Sequence, residues 1–162
     1  MKNFKRIICA LDFDNLSQSI SFIKTIKYDI IYKIGMEFFY NFGYEGIEKL
    51  KKNKSDIKIF LDLKLHDIPN TVGKSLIPLL KNIKPYMITL HISGGKKMLK
   101  EATKIVNKVS KDLKFQRPMI LGVTILTSLD EEELNRMGQK DSVFEYVLKY
   151  AYIAKSSGLD GV

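Results

Sequence analysis

With 162 residues, 45% of them hydrophobic, the chain has one domain's worth of length and ample apolar content for a core. Its formal charge of +9 is almost wholly lysine, interleaved with apolar positions in stretches such as 48–58 and 96–111. That spacing describes solvated helix faces and argues against a nucleic-acid groove of clustered arginines and exposed aromatics, while a basic balance suits a small anionic substrate.

Residues 1–11 open with a basic start and a short apolar run, the outline of a signal peptide. The run is brief and leads straight into Asp12, so 7–11 is predicted as a first strand. Cys9, the single cysteine, lies in it; no disulfide framework or Cys-based metal site can form, and a buried small hydrophobe is expected. Asn15 or Ser17 can cap a helix running to about Thr25. A second apolar run at 30–34 carries Lys33 and ends at Gly35. An amphipathic helix over 38–51 follows, with Ile47 and Leu50 spaced for one face. The third strand, 58–63, precedes a helix over 70–82 in which Pro78 marks an expected kink.

The fourth strand, 87–92, ends in His91-Ile92-Ser93-Gly94-Gly95, a turn ahead of a helix over 96–110. The fifth, Met119–Val123, ends in Thr124-Ile125-Leu126-Thr127-Ser128. Ser128 and Glu131 have capping-box spacing, and Asp130 to Glu133 suit the positive end of a helix dipole. A helix over 142–156 leads to 159–162, the approach to a sixth strand. No apolar stretch is long enough to span a membrane, so a soluble, cytoplasmic protein is expected.

Repetition of apolar strand, loop and helix predicts an α/β fold with a parallel sheet covered by helices. The third strand carries the most charge at its end. Strand alternation places Asp62 and Lys64 on one side and Leu61 and Leu63 on the other, with Asp67 just beyond. Taken alone, that stretch fits a structural ion pair as well as a catalytic one. Parallel α/β folds put their chemistry at the carboxyl ends of strands. Here those ends read Asp12, Lys33, Asp62 with Lys64, His91 with Ser93, and Thr124 with Thr127, which favours a catalytic rim. Glycine-rich nucleotide loops of the Rossmann or P-loop kind are absent.

The segments ALD at 10–12, KIGME at 33–37, FLDLKLHDIPNT at 60–71, HISGG at 91–95, VTILTS at 123–128 and GLDGV at 158–162 occur in a telling order. In order and spacing they resemble orotidine 5′-phosphate decarboxylase of the bacterial type, over essentially the whole chain. The resemblance implies a (β/α)8 TIM barrel, of which residues 1–162 supply about five to six β/α units as one partial domain. It implies a carboxy-lyase converting orotidylate to UMP and CO2 in de novo pyrimidine biosynthesis. It also implies a homodimer with shared active sites, no cofactor, no metal, and no nucleic-acid or membrane partner.

Position by position, the resemblance makes Lys33, Asp62, Lys64 and Asp67 the charged catalytic tetrad, with Lys64 stabilising and protonating the carbanion at C6. Asp67 and Thr71 would reach into the partner's site, Asp12 and Lys33 would hold the ribose hydroxyls, and Thr127 and Ser128 would face the pyrimidine. Plainer roles exist for several of these. Asp12 could cap the first helix, and Thr127 or Ser128 the one after the fifth strand. His66 is expected to face solvent or bond the backbone, His91 to shape the rim, and Glu37 to serve a helix start.

The Asp-x-Lys-x-x-Asp core is shared by metal-dependent sugar-phosphate decarboxylases and aldolases of the same superfamily. Those are expected to present a carboxylate where Lys33 stands. An alternative outside catalysis is a remnant that binds a phosphorylated ligand or a partner chain. An eight-stranded barrel takes about 250 residues, and the family's later Pro-Gly-Ile-Arg stretch and Gly-Arg pair are not in this sequence. The expectation is therefore a fragment or truncated gene model, aggregation-prone and nearly inactive by itself, with 7–11 and 119–123 as unpaired apolar edges.

Overall fold

Short runs of Ile, Leu and Val cannot bury both faces alone, and parallel pairing with helical crossovers is the arrangement that covers them. The computed structural model describes residues 7–162. Its elements are β1 (Ile8–Ala10), α1 (Leu16–Thr25), β2 (Ile31–Ile34), α2 (Met36–Asn53), β3 (Lys58–Leu65) and α3 (Pro69–Ile83). Then come β4 (Met87–His91), a 3-10 turn (Ile92–Gly94), α4 (Gly95–Asp112), β5 (Met119–Val123), α5 (Glu131–Arg136) and α6 (Val143–Ser156). The strands form one parallel sheet in the order β1-β2-β3-β4-β5. A bridge between Leu121 and Gly161 begins a sixth strand beside β5, as the sequence predicts, with Gly122 N–H donating to the Gly161 carbonyl at 2.9 Å. Residues 1–6, the basic start that precedes the first predicted strand, lie outside the described residues.

Strand residues divide by parity. Tyr32, Ile34, Ile59, Leu61, Ile88 and Leu90 join the large core formed with the helices, whereas Ile31, Phe60 and Met87 form a smaller apolar layer with Met119 and Leu121. Lys33, Asp62 and Thr89 alternate with residues of the large core, so they belong to the face of the smaller layer. That face carries apolar residues low on the strands and polar residues towards their carboxyl ends.

Local signals mark several helix starts. Asn15 caps α1, its Oδ1 accepting from the N–H groups of Ser17 at 2.8 Å and Gln18 at 3.4 Å. Ser142 and Glu145 form a reciprocal capping box at the start of α6. Glu37 lies in the first turn of α2, where the dipole favours it.

Two local features differ from expectation. The helix read over 38–51 is interrupted at Gly43 (φ 54, ψ −149), a conformation open to glycine and strained for other residues. Ser128 does not cap α5: Leu129 N–H closes a turn onto the Leu126 carbonyl, and Asp130, extended at ψ −177, accepts the Glu133 N–H at 2.9 Å instead.

Cys9 is half-buried against the large core, less enclosed than expected, and burial raises its thiol pKa, with Asp12 adding to the effect. β1 lies at one edge of the sheet, with Ile8 45% exposed, whereas β5 is partly covered by the Gly161 bridge. Among the described residues no helix is long and apolar enough to cross a membrane.

Candidate active site

The carboxyl ends of β1, β2 and β3 deliver alternating charges to one rim. Lys33 Nζ, from β2, lies 3.4 Å from Asp12 Oδ1 just past β1 and 4.0 Å from Asp62 Oδ2 on β3. Lys64 Nζ donates to that same Asp62 Oδ2 at 2.8 Å. Two ammonium groups and two carboxylates thus form a chain in the order Asp12, Lys33, Asp62, Lys64. Asp62 is the most enclosed member, its side chain 11% exposed against 25% for Lys33 and 29% for Lys64. Gly35 follows β2 beside this chain of charges, where a Cβ would lie 3.4 Å from Lys33 Nζ and 3.8 Å from Asp12 Oδ1, in ordinary contact.

Lys64 reaches Asp62 by a route that plain alternation does not describe. Between the pairs Leu61↔Ile88 and Leu65↔Leu90, β3 advances four residues while β4 advances two, so β3 bulges. Lys64 lies within that bulge at φ 48, a left-handed backbone that costs an ordinary residue about 1–2 kcal/mol. Strain of that kind gathers at functional sites.

Thr89 is a member of the site that the sequence reading passed over. Its Oγ1 donates to Asp62 Oδ1 at 3.0 Å and accepts the Lys64 backbone N–H at 2.9 Å. A signal for it existed: Thr89 is the one hydroxyl residue of β4, two positions before His91 and on the same face.

The other expected residues stand apart from this chain of charges. Asp67 is exposed beyond β3, its Oδ1 accepting the N–H of Ile68 at 2.6 Å, and it makes no ion pair among the described residues. Thr71 is exposed near the start of α3, and Thr127 and Ser128 are exposed in the loop after β5. The chain therefore assembles Lys33, Asp62 and Lys64 of the expected tetrad without Asp67. An open cleft of about 500 Å³ runs between Asp67, Ile68 and Ser93.

His66 and His91 pack with ring centroids 5.3 Å apart, tilted by 39°. Both line a cavity of about 390 Å³ that extends past Thr124 and Ile125 to Tyr146 and Tyr150 of α6. Burial holds the His91 imidazole below its ordinary pKa. The neighbouring His66 and Lys64 push the same way and Asp62 opposes them. In the same cavity Tyr150 is pushed up to about 12, by burial first and then by its bond with Tyr146. Among the described residues no group of three or more His, Cys, Asp or Glu side chains is gathered to hold a metal ion.

A parallel β/α sheet in sequential strand order, with lysines and aspartates meeting at its carboxyl rim, defines a partial (β/α)8 barrel bearing a polar rim site. The chain belongs to the orotidine 5′-phosphate decarboxylase / HUMPS family, whose model matches residues 5–162. It is 43% identical over 157 residues to an orotidine 5′-phosphate decarboxylase of Wolbachia sp. subsp. Brugia malayi, covering 96% of this chain and 65% of that protein. It is 42% identical over 164 residues to the enzyme of that name from Dictyoglomus turgidum, covering 100% of this chain and 66% of the relative. Among solved structures, orotidine 5′-phosphate decarboxylase from Lactobacillus acidophilus superposes with a TM-score of 0.87 at 38% identity, covering 98% of this chain and 70% of that one. The chain thus spans 65% and 66% of the length of these two curated relatives, about two thirds.

Proposed function

We propose that this chain carries the lysine–aspartate part of an orotidine 5′-phosphate decarboxylase, which releases CO2 from orotidylate to give UMP in pyrimidine biosynthesis. The observation that supports the reading most directly is Asp62 Oδ2, 2.8 Å from the Lys64 ammonium and 4.0 Å from that of Lys33. Loss of CO2 leaves an electron pair at ring carbon 6 that cannot spread into the ring π system. Fixed charge must therefore stabilise it, and charge held in place beforehand costs no reorganisation during the reaction.

In this reading the Lys64 ammonium lies against carbon 6. The C6–carboxylate bond breaks with its electrons remaining on C6, and Lys64 Nζ supplies the proton that replaces CO2. Asp62 sits near the substrate carboxylate, so repulsion there is relieved as CO2 departs. Lys33 and Asp12 hold ribose hydroxyls, and Thr127 and Ser128 face the pyrimidine. Asp67 and Thr71 act in the neighbouring site of a homodimer, which fits their outward position in a single chain. The protein works in the cytoplasm without a metal or organic cofactor.

Turnover is followed by the loss of orotidylate absorbance, before and after chelator treatment, in wild type and Lys64→Ala. The expected result is slow, chelator-insensitive turnover that disappears in Lys64→Ala while a cooperative melting transition and binding of a uridylate analogue persist. A Lys64→Ala protein with near-normal rate would remove Lys64 from the mechanism, and loss of activity on chelation would favour the metal-dependent branch of the superfamily.

A further inference from the structure

Thr89 is 5% exposed, and its hydroxyl serves both directions of hydrogen bonding at once. It donates to Asp62 Oδ1 at 3.0 Å and accepts from the Lys64 backbone N–H at 2.9 Å. The first bond leaves Asp62 Oδ2 as the oxygen turned to Lys64 and Lys33, at 2.8 Å and 4.0 Å. The second caps an N–H that the bulge in β3 has taken out of the strand ladder, at the residue with φ 48. Each bond orients the other. A hydroxyl whose proton is committed to a carboxylate directs its lone pairs towards the amide.

We propose that Thr89 is a positioning residue. Its hydroxyl ties the Asp62 carboxylate and the bulged Lys64 backbone into one unit, which fixes where the Lys64 ammonium stands. Nothing in this arrangement requires Thr89 to touch substrate. The consequence for catalysis rests on the decarboxylase reading above, whereas the structural tie does not. Valine has nearly the same shape and lacks the hydroxyl, so Thr89→Val leaves a buried N–H and a carboxylate oxygen each short of a partner. Serine keeps the hydroxyl and loses a methyl group.

The test compares wild type, Thr89→Val and Thr89→Ser by amide hydrogen exchange at Lys64 and by steady-state kinetics with orotidylate. In Thr89→Val, exchange at Lys64 should quicken by about tenfold, the effect of one lost hydrogen bond. The amides of Ile88 and Leu90 should stay near wild type. Its kcat should fall by about a hundredfold, the scale of a misplaced reacting group, with KM little altered. Thr89→Ser should recover both. Unchanged exchange at Lys64 overturns the proposal, as does equal acceleration across β3 and β4, normal kcat in Thr89→Val, or failure of serine to rescue. Should Thr89→Val not fold, Thr89→Cys carries the same comparison, since a thiol is a much weaker donor and acceptor. If wild type itself does not decarboxylate orotidylate, the functional reading fails by itself, and the exchange data alone decide the tie.

Discussion

Replacing Asp62 with asparagine keeps the side chain's size and an oxygen for Thr89 but deletes the charge between two lysines. At an effective dielectric of 20, a carboxylate 2.8 Å from one ammonium and 4.0 Å from another is worth about 6 and about 4 kcal/mol in Coulomb energy. Most of that is offset by the cost of drying Asp62, and each ammonium remains about a quarter exposed, at 29% for Lys64 and 25% for Lys33. Removing one partner of a buried pair costs about 3–5 kcal/mol in general, so partial exposure puts Asp62→Asn near the lower end, about 3 kcal/mol. For a chain of this length that lowers the melting temperature by about 6–12 °C. The assay is thermal unfolding by circular dichroism at low and high salt, with Lys64→Met and the double variant completing a cycle. The two lysines left facing each other in Asp62→Asn should make its loss smaller at high salt. An Asp62→Asn protein as stable as wild type, with no coupling to Lys64→Met, would refute the view that this carboxylate holds the rim together.

Two further outcomes follow from geometry elsewhere. His91 has a folded-state pKa below its ordinary 6.5, chiefly through burial, so on acidification the unfolded chain takes up the proton first. Stability from neutral His91 is complete above that value and lost as pH falls below it. Urea midpoints measured from about pH 7.5 to about pH 5 should therefore decline less in His91→Gln than in wild type, and parallel declines would show that His91 is not responsible. At Gly122 on β5, an added Cβ would lie 2.6 Å from Ile92 Cδ1, 2.7 Å from Ile92 Cγ1 and 3.0 Å from Leu159 Cδ2. Overpacking of that kind costs about 1–3 kcal/mol, so a Gly122→Ala protein with an unchanged urea midpoint would contradict the packing of the Ile92 turn and Leu159 against β5.

Much of the architecture was legible because its determinants are local. Apolar runs at 30–34, 58–63 and 87–92 alternate with helical periodicity, and Asn15 and Ser142 announce helix starts through their own side chains. Alternation along the third run put Asp62 and Lys64 on one side, and the place of Lys33, Asp62 and Lys64 at strand ends pointed to the rim. The cap of α5 was misread because two oxygen-bearing residues, Ser128 and Asp130, compete for it. The turn closed by Leu126 and Leu129 decides between them.

By itself, then, the amino-acid order determined the parallel β/α alternation, the family motifs and the set of charged residues at the strand ends, since each depends on short-range pattern. Tertiary structure alone decided how those charges meet. The bulge that turns Lys64 to φ 48 is a mismatch of register between β3 and β4, and the Thr89 tie exists only because Ile88 pairs beside Leu61. The physical reason is that register and left-handed backbone are set by what the neighbouring strand offers, and that neighbour lies some 25 residues away along the chain.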